Sequence, residues 1–303
     1  MREDFIDIKQ INEEIKTDEL KVIRDAESRF RGQLFDLANF ILRKGDVKIV
    51  LIGGPSCAGK TTSANLLKDI LQRKGKKVLT IAMDNFFKSQ KDREVLEDGS
   101  IDFDSINIVN FKQMEECFGT LFKKGKAKFP EFDFVSGINY ENKIDYVLTD
   151  ETIIIFEGIH VLNPQLISHL KTDKFIRVFI SNFSGFCYDE LSISPREFRL
   201  VRRMVRDMAR RGVNPPQTLK MWNNICKAED EYITPFKDKV DFQVNTTHQY
   251  EMGLYKDIIL KAVYNKELST ERLGWLKLFE YANSVNIDLL PDTTLMNEFI
   301  KID

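Results

Sequence analysis

The stretch Gly54-Pro55-Ser56-Cys57-Ala58-Gly59-Lys60-Thr61-Thr62 fits G-x-x-x-x-G-K-[ST] at every fixed position. Residues of these types at this spacing bind a triphosphate. The glycines let the backbone turn so that successive N–H groups point at phosphate oxygens, and Lys60 brings a point charge to the β- and γ-phosphates. The Thr61 hydroxyl is then placed to ligate magnesium. Candidate nucleotide ligands are therefore Gly54, Ser56, Cys57, Ala58, Gly59, Lys60, Thr61 and Thr62. Cys57 reads as a small filler rather than a redox switch, because nothing in the sequence activates its thiol. A phosphate loop serves kinases, switches and motors alike, so the reaction has to be read from the residues around it.

Two acidic residues stand where phosphoryl transfer needs them. Asp84 follows the apolar run from Lys77 to Met83, and Glu157 follows the run from Thr152 to Phe156. In an open parallel sheet the ligand crevice lies outside the carboxyl ends of the strands, so both carboxylates are expected near Thr61. A carboxylate there holds magnesium, directly or through water, or accepts the proton of an attacking hydroxyl. A third group is basic: Arg199, Arg202, Arg203, Arg206 and Arg210 are spaced so as to share one helix face. Guanidinium groups make forked hydrogen bonds to phosphate oxygens and offset charge during transfer. A solvated basic face, or a weak nucleic-acid patch, is the other reading of the same row. Asn142-Lys143-Ile144-Asp145 fits the guanine-reading pattern N-K-x-D, but no apolar strand runs into it, and the match reads as coincidence.

The elements that must position these groups are legible as alternating patterns. An apolar strand, Lys48 to Ile52, enters the phosphate loop, and the helical pattern from Thr61 to Lys74 leaves it. Further strand-like runs cover Lys77 to Met83, Thr152 to Phe156, Phe175 to Ile180 and Val240 to Val244. Helical patterns cover Val109 to Lys123 and Pro195 to Arg211, which Gly212 ends and Pro215-Pro216 keeps from resuming at once. Strands alternating with helices predict an α/β fold with a doubly wound parallel sheet. Helical patterns before Gly45 and after Tyr250 add N- and C-terminal extensions, and the less regular stretch from Phe87 to Tyr146 is expected beside the sheet. The expected organisation is an extension over 1–46, a nucleotide-binding domain over 47–250 with a lid around 183–215, and a second extension over 251–303.

Composition narrows the classes. With 303 residues, the chain is long enough for two domains or one α/β domain with additions. Its 45 basic and 47 acidic side chains leave a net charge of -2, which argues against binding nucleic acid through broad phosphate neutralisation. No apolar run approaches the length of a membrane span and the N-terminus lacks the pattern of a signal peptide, so a soluble cytoplasmic protein is expected. The 4 cysteines and 3 histidines are scattered, so any metal is expected on oxygen ligands. A homo-oligomer is compatible with the sequence.

Taken in order, the motifs resemble the uridine kinase and phosphoribulokinase family. The phosphate loop is followed by Asp84-Asn85-Phe86-Phe87 (D-S-F-Y in the family), Asp102-Phe103-Asp104 (N-F-D) and Pro130-Glu131-Phe132-Asp133-Phe134-Val135 (P-x-Y-D-F). Phe156-Glu157-Gly158-Ile159 and the run from Arg199 to Asp207 are similar to its F-E-G-I motif and its arginine-rich lid. The segments Glu229 to Lys237, Asp241 to Asn245 and Pro291 to Ile300 resemble bacterial uridine-kinase-like proteins that carry an N-terminal TGS domain. About 46 residues precede the first strand here, too few for that domain, so the resemblance implies a version without it.

The resemblance implies a P-loop NTPase-type fold and a kinase that moves the γ-phosphoryl of ATP or GTP, with Mg2+, to the 5′-hydroxyl of uridine or cytidine. Asp84, Lys60 and Arg202 would be catalytic, with Asp84 the general base. Thr61, Asp84 and Glu157 would hold the ion, and Arg199, Arg202, Arg203 and Arg206 would close over the phosphates as a lid, with Arg203 and Arg206 on the nucleotide. Asp84, Phe87, Asp104, Phe132, Phe134 and Arg199 would contact the acceptor. Phe87 and Phe132 replace the tyrosines of pyrimidine nucleoside kinases, and Gly137 replaces a histidine that reads the base. Lost polar groups weaken discrimination for a pyrimidine. Another small hydroxyl acceptor (a sugar, a polyol or another nucleoside) and a non-catalytic nucleotide sensor are the competing readings.

Overall fold

The computed structural model describes residues 4–93 and 105–300. A short strand β1 (Asp4–Asp7) runs into helix α1 (Ile8–Lys44), which the Asp7 side chain caps by accepting the Lys9 N–H. The helix breaks at Asp18, whose carboxylate accepts the Lys21 N–H and so starts the helix again. Its inner face places Val22, Ile23, Ala26, Phe30, Leu34, Leu37 and Ile41 at helical spacing, all buried. Then follow β2 (Ile49–Gly53), α2 (Lys60–Arg73), β3 (Lys77–Ala82) and a tight 3-10 turn over Met83–Phe86.

After the undescribed residues come α3 (Phe111–Lys124) and the hairpin of β4 (Lys126–Asp133) and β5 (Ile138–Val147). The chain continues through β6 (Thr152–Glu157), α4 (Pro164–Ile167), β7 (Phe175–Ser181), β8 (Ser184–Tyr188) and β9 (Leu191–Ile193). Helices α5 (Pro195–Arg211) and α6 (Pro215–Tyr232), strand β10 (Phe242–Asn245), and helices α7 (Glu251–Tyr264) and α8 (Leu278–Tyr281) complete it, with a last 3-10 turn at Leu295–Glu298.

The central sheet has five strands in the order β10-β7-β2-β6-β3, and every pairing in it is parallel. From β2 the chain passes over β6 to reach β3, whereas from β6 it passes over β2 to reach β7. The connections thus leave these two neighbours in opposite directions, which opens a crevice at their carboxyl ends. Alternate residues feed two cores. Val50, Ile52, Ile155 and Val178 pack with α1, α2 and the C-terminal elements. Ile49, Leu51, Ile154 and Phe156 pack with α3 and the hairpin through Met114, Phe118 and Phe129. Each such aliphatic side chain contributes about 1.5–3 kcal/mol when fully buried. A small second sheet, β1-β8-β9, joins the N-terminal strand to the segment before α5.

Two elements differ from the expectations. Pro215-Pro216 opens α6 rather than holding helicity off, because Asn214 and Gln217 form a capping box and proline fits the first helical position, where no N–H partner is needed. The β4–β5 hairpin has no counterpart among the expected elements, whereas α3 beside it is the helix expected from Val109 to Lys123. The N-K-x-D match lies in that hairpin, on β5, in a two-stranded sheet separate from the main one. No described helix is long and apolar enough to cross a membrane.

Candidate active site

The phosphate loop bridges β2 and α2 at the carboxyl end of the central strand. Glycine is required at Gly54, where φ is +156° and a Cβ would come within 2.0 Å of the Ile180 carbonyl oxygen. Gly59 adopts φ +86°, with the Leu295 side chain 2.7 Å from where a Cβ would stand. Cys57 itself takes a left-handed conformation at φ +60°, a strained choice for a non-glycine residue. Lys60, at the start of α2, is buried and donates to the Pro55 carbonyl at 2.9 Å. The free N–H groups and positive dipole end of α2 add to an anion site at this point.

Glu157 ends β6 opposite Ile52 of β2 and Ala82 of β3. The Thr61 hydroxyl donates to its carboxylate at 3.1 Å. Burial pushes the Glu157 carboxyl up to about 7; Lys60 and the Thr61 hydrogen bond pull it down, while Asp84 and Glu298 push it further up. Asp84 sits just past the end of β3, in the turn over Met83–Phe86. The structure therefore brings Lys60, Thr61, Asp84 and Glu157 together. Two half-buried carboxyl groups beside a lysine and a threonine hydroxyl are oxygen ligands of the kind a hard divalent cation takes.

Next to Asp84 lies an aromatic wall. The ring centroids of Phe87, Phe132 and Phe134 are 5.1 to 6.5 Å apart and packed edge to face. Phe87 and Phe132 are buried and Phe134 is exposed. Asn85 and Asn139 tie this wall to the Asp84 turn: Asn85 Oδ1 accepts the Phe132 N–H, and Asn139 Nδ2 donates to the carbonyls of Asn85 and Phe87. The Arg93 guanidinium lies 5.6 Å from the centre of Phe87 and 5.0 Å from that of Phe132, and within electrostatic reach of Asp84. Gly137 turns the hairpin at φ +67°, where a Cβ would meet Gln90 Oε1 at 2.8 Å, so a larger side chain there is strained. Asp104 lies outside the described residues, as does the Asp102-Phe103 pair before it.

The arginine row splits. Arg202 is fully buried, its guanidinium held by both oxygens of Glu251 at 2.6 and 2.7 Å and by the Thr246 carbonyl and hydroxyl. It also donates to the loop, at the Cys57 carbonyl, 3.4 Å away. Arg199 is held by Glu229 at 2.6 Å and reaches the Ser56 carbonyl at 3.5 Å. Arg203 donates to the Ser56 hydroxyl at 2.9 Å, and Arg206 pairs with Asp207. Thr246 adds a bond to the Ala58 carbonyl at 2.9 Å. In a phosphate loop the N–H groups turn inward to the anion, so its carbonyls need partners outside. The buried arginines and Thr246 supply them, and α5 clamps the outside of the loop. Sequence reading missed Arg93, Thr246, Glu229, Glu251 and Glu298; only the fold shows where they stand.

Residues 49–252 match the Phosphoribulokinase / Uridine kinase family. A uridine kinase of Ureaplasma urealyticum is 25% identical over 208 residues, which cover 68% of this chain and 92% of that protein. A uridine kinase of Mycoplasma genitalium is 27% identical over 221 residues, covering 72% and 94%. A crystal structure described as a fructose transport system kinase from Silicibacter superposes with a TM-score of 0.53 at 17% identity, covering 69% of this chain and 98% of that one, which speaks for the fold. With a complete phosphate loop, two carboxylates at the ends of neighbouring strands and a family match over most of its length, the chain belongs to the phosphoribulokinase and uridine kinase family and is an ATP-dependent phosphotransferase.

Proposed function

We propose that the chain transfers the γ-phosphoryl of ATP, or of GTP, to the 5′-hydroxyl of uridine or cytidine. The observation that carries this reading is the convergence of Lys60, Thr61, Glu157 and Asp84 at one crevice with an aromatic wall beside them. Relatives named uridine kinases support the acceptor class. Lys60 and the loop N–H groups hold the donor phosphates, with Arg203 and Arg206 beside them. Thr61, Glu157 and Asp84 would hold Mg2+, which when bound offsets phosphate charge. Asp84 takes the proton of the attacking hydroxyl, and Phe87, Phe132 and Phe134 orient the acceptor in line. Arg202 and Arg199 act by holding the loop in shape. Positioning and electrostatics then carry most of the rate.

A second reading keeps the donor chemistry and changes the acceptor to another small alcohol. It is favoured by the phenylalanines at 87 and 132 and by Gly137, which leave this wall with fewer hydrogen-bonding groups for a base. The test is ATP and GTP consumption with uridine, cytidine, other nucleosides, sugars and polyols, alongside Asp84→Asn. Phosphorylated uridine or cytidine from the wild type alone is expected. Product from a sugar or polyol with none from a nucleoside rejects the first reading. Nucleotide binding with no product from any acceptor rejects both.

A further inference from the structure

Beyond the family match, the C-terminal segment reaches back to the phosphate loop. Thr294 caps its 3-10 turn by accepting the Met296 N–H, and Leu295, Met296 and Phe299 are fully buried. Leu295 packs on Gly59. The Phe299 ring lies 4.9 Å from the Arg202 guanidinium, and Arg210 donates to the carbonyls of Asn297 and Ile300. The backbone is thus fixed on both sides of Glu298. The Thr62 hydroxyl donates to Glu298 Oε2 at 2.9 Å. Thr62 belongs to the first turn of α2, next to Lys60 and Thr61, where free N–H groups favour an anion. The carboxylate also lies within electrostatic reach of Arg202, Arg206 and Glu157. A carboxylate placed there offers what a phosphate offers, a negative charge with acceptor oxygens.

Building on the kinase reading above, we propose that Glu298 is a built-in competitor for the donor phosphates: it accepts the Thr62 hydroxyl hydrogen bond and must leave when a nucleoside triphosphate binds. Because Leu295 and Phe299 anchor the segment, release requires only the half-buried Glu298 side chain to change rotamer. Donor affinity is therefore lower than the loop alone would give. Removing the charge while keeping an acceptor oxygen removes the competition without undoing the segment.

The test is calorimetric titration of the full chain with Mg-ADP, a non-hydrolysable ATP analogue and inorganic tripolyphosphate, for wild type, Glu298→Gln, Glu298→Ala and Lys60→Ala. Thermal unfolding checks that each variant is folded. Glu298→Gln is expected to bind all three probes about tenfold more tightly, a change of about 1.4 kcal/mol. Glu298→Ala is expected to change in the same direction. If both Glu298 variants bind no more tightly than wild type while Lys60→Ala loses binding, the competitor role falls and the kinase reading stands. If a Glu298 variant binds as wild type does but its kcat drops, Glu298 is a positioning residue and the competitor role is overturned. If none of the proteins binds nucleotide, the kinase reading fails and takes this proposal with it.

Discussion

Replacing Glu157 by glutamine is expected to stabilise the ligand-free protein at pH 8 while abolishing phosphoryl transfer. Burial is the main reason that the Glu157 carboxyl is raised to about 7 from an ordinary value of 4.5, with Lys60 opposing the rise. A carboxyl raised in the folded state contributes stability when protonated. That contribution is complete below the unfolded value, near 4.5, and is lost as pH rises through about 7. A gap of roughly 2.5 pH units, at about 1.36 kcal/mol each, makes ionisation cost about 3 kcal/mol at pH 8. Glutamine has the shape of the neutral acid and never ionises, so the variant escapes that loss. Urea unfolding without nucleotide or metal should therefore show Glu157→Gln about 3 kcal/mol more stable than wild type at pH 8. At pH 5 the gap should shrink to under about 1 kcal/mol. Mg2+ with nucleotide should stabilise wild type more than the variant, because the proposed ion site uses the ionised carboxylate. A stability difference that ignores pH, or a variant less stable at pH 8, refutes the reasoning.

Asp84→Asn should lower kcat by about 10²–10⁴ while calorimetry still shows nucleotide bound, since the proposed general base is lost and the phosphate loop with Lys60 and Thr61 is kept; turnover within tenfold of wild type removes Asp84 from that role. Gly54→Ala should cost at least tenfold in nucleotide affinity, because the new Cβ meets the Ile180 carbonyl 2.0 Å away and the loop must shift. Titration with Mg-ADP measures it, and unchanged affinity would contradict the contact. Arg202→Ala should destabilise the fold by about 3–5 kcal/mol in chemical denaturation, since it leaves the Glu251 carboxylate buried without its partner. Pairing it with Glu251→Leu should restore much of that loss, and a loss under about 1 kcal/mol in the single variant would mean the pair carries little.

What the sequence made legible was local. The phosphate loop is nine consecutive residues, and Asp84 and Glu157 each follow an apolar strand directly, so chain direction and strand parity place them at one end of the sheet. The arginine row shows where such reading stops. Helical pitch says that Arg199, Arg202, Arg203, Arg206 and Arg210 share a face, but pitch cannot say what lies opposite. The acidic partners of Arg199 and Arg202, Glu229 and Glu251, come from α6 and α7 and look like ordinary surface glutamates in sequence. Once these partners are in place, Arg199 and Arg202 are buried ion pairs outside the loop rather than exposed groups above it.

The same physics explains why this enzyme uses its terminal elements at a site the family segment already contains. A loop with one residue at φ +60° and a glycine pressed against the Ile180 carbonyl holds that shape only if its surroundings over-determine it. The surroundings here are α5 through its buried arginines, Thr246 after β10 and Leu295 near the C-terminus. A carboxylate 236 residues beyond Thr62 in sequence carries no local signature, yet it enters the site because the segment that bears it is part of that support. Elements that hold a phosphate loop rigid necessarily lie against it, and a charged side chain on such an element is in position to influence what binds.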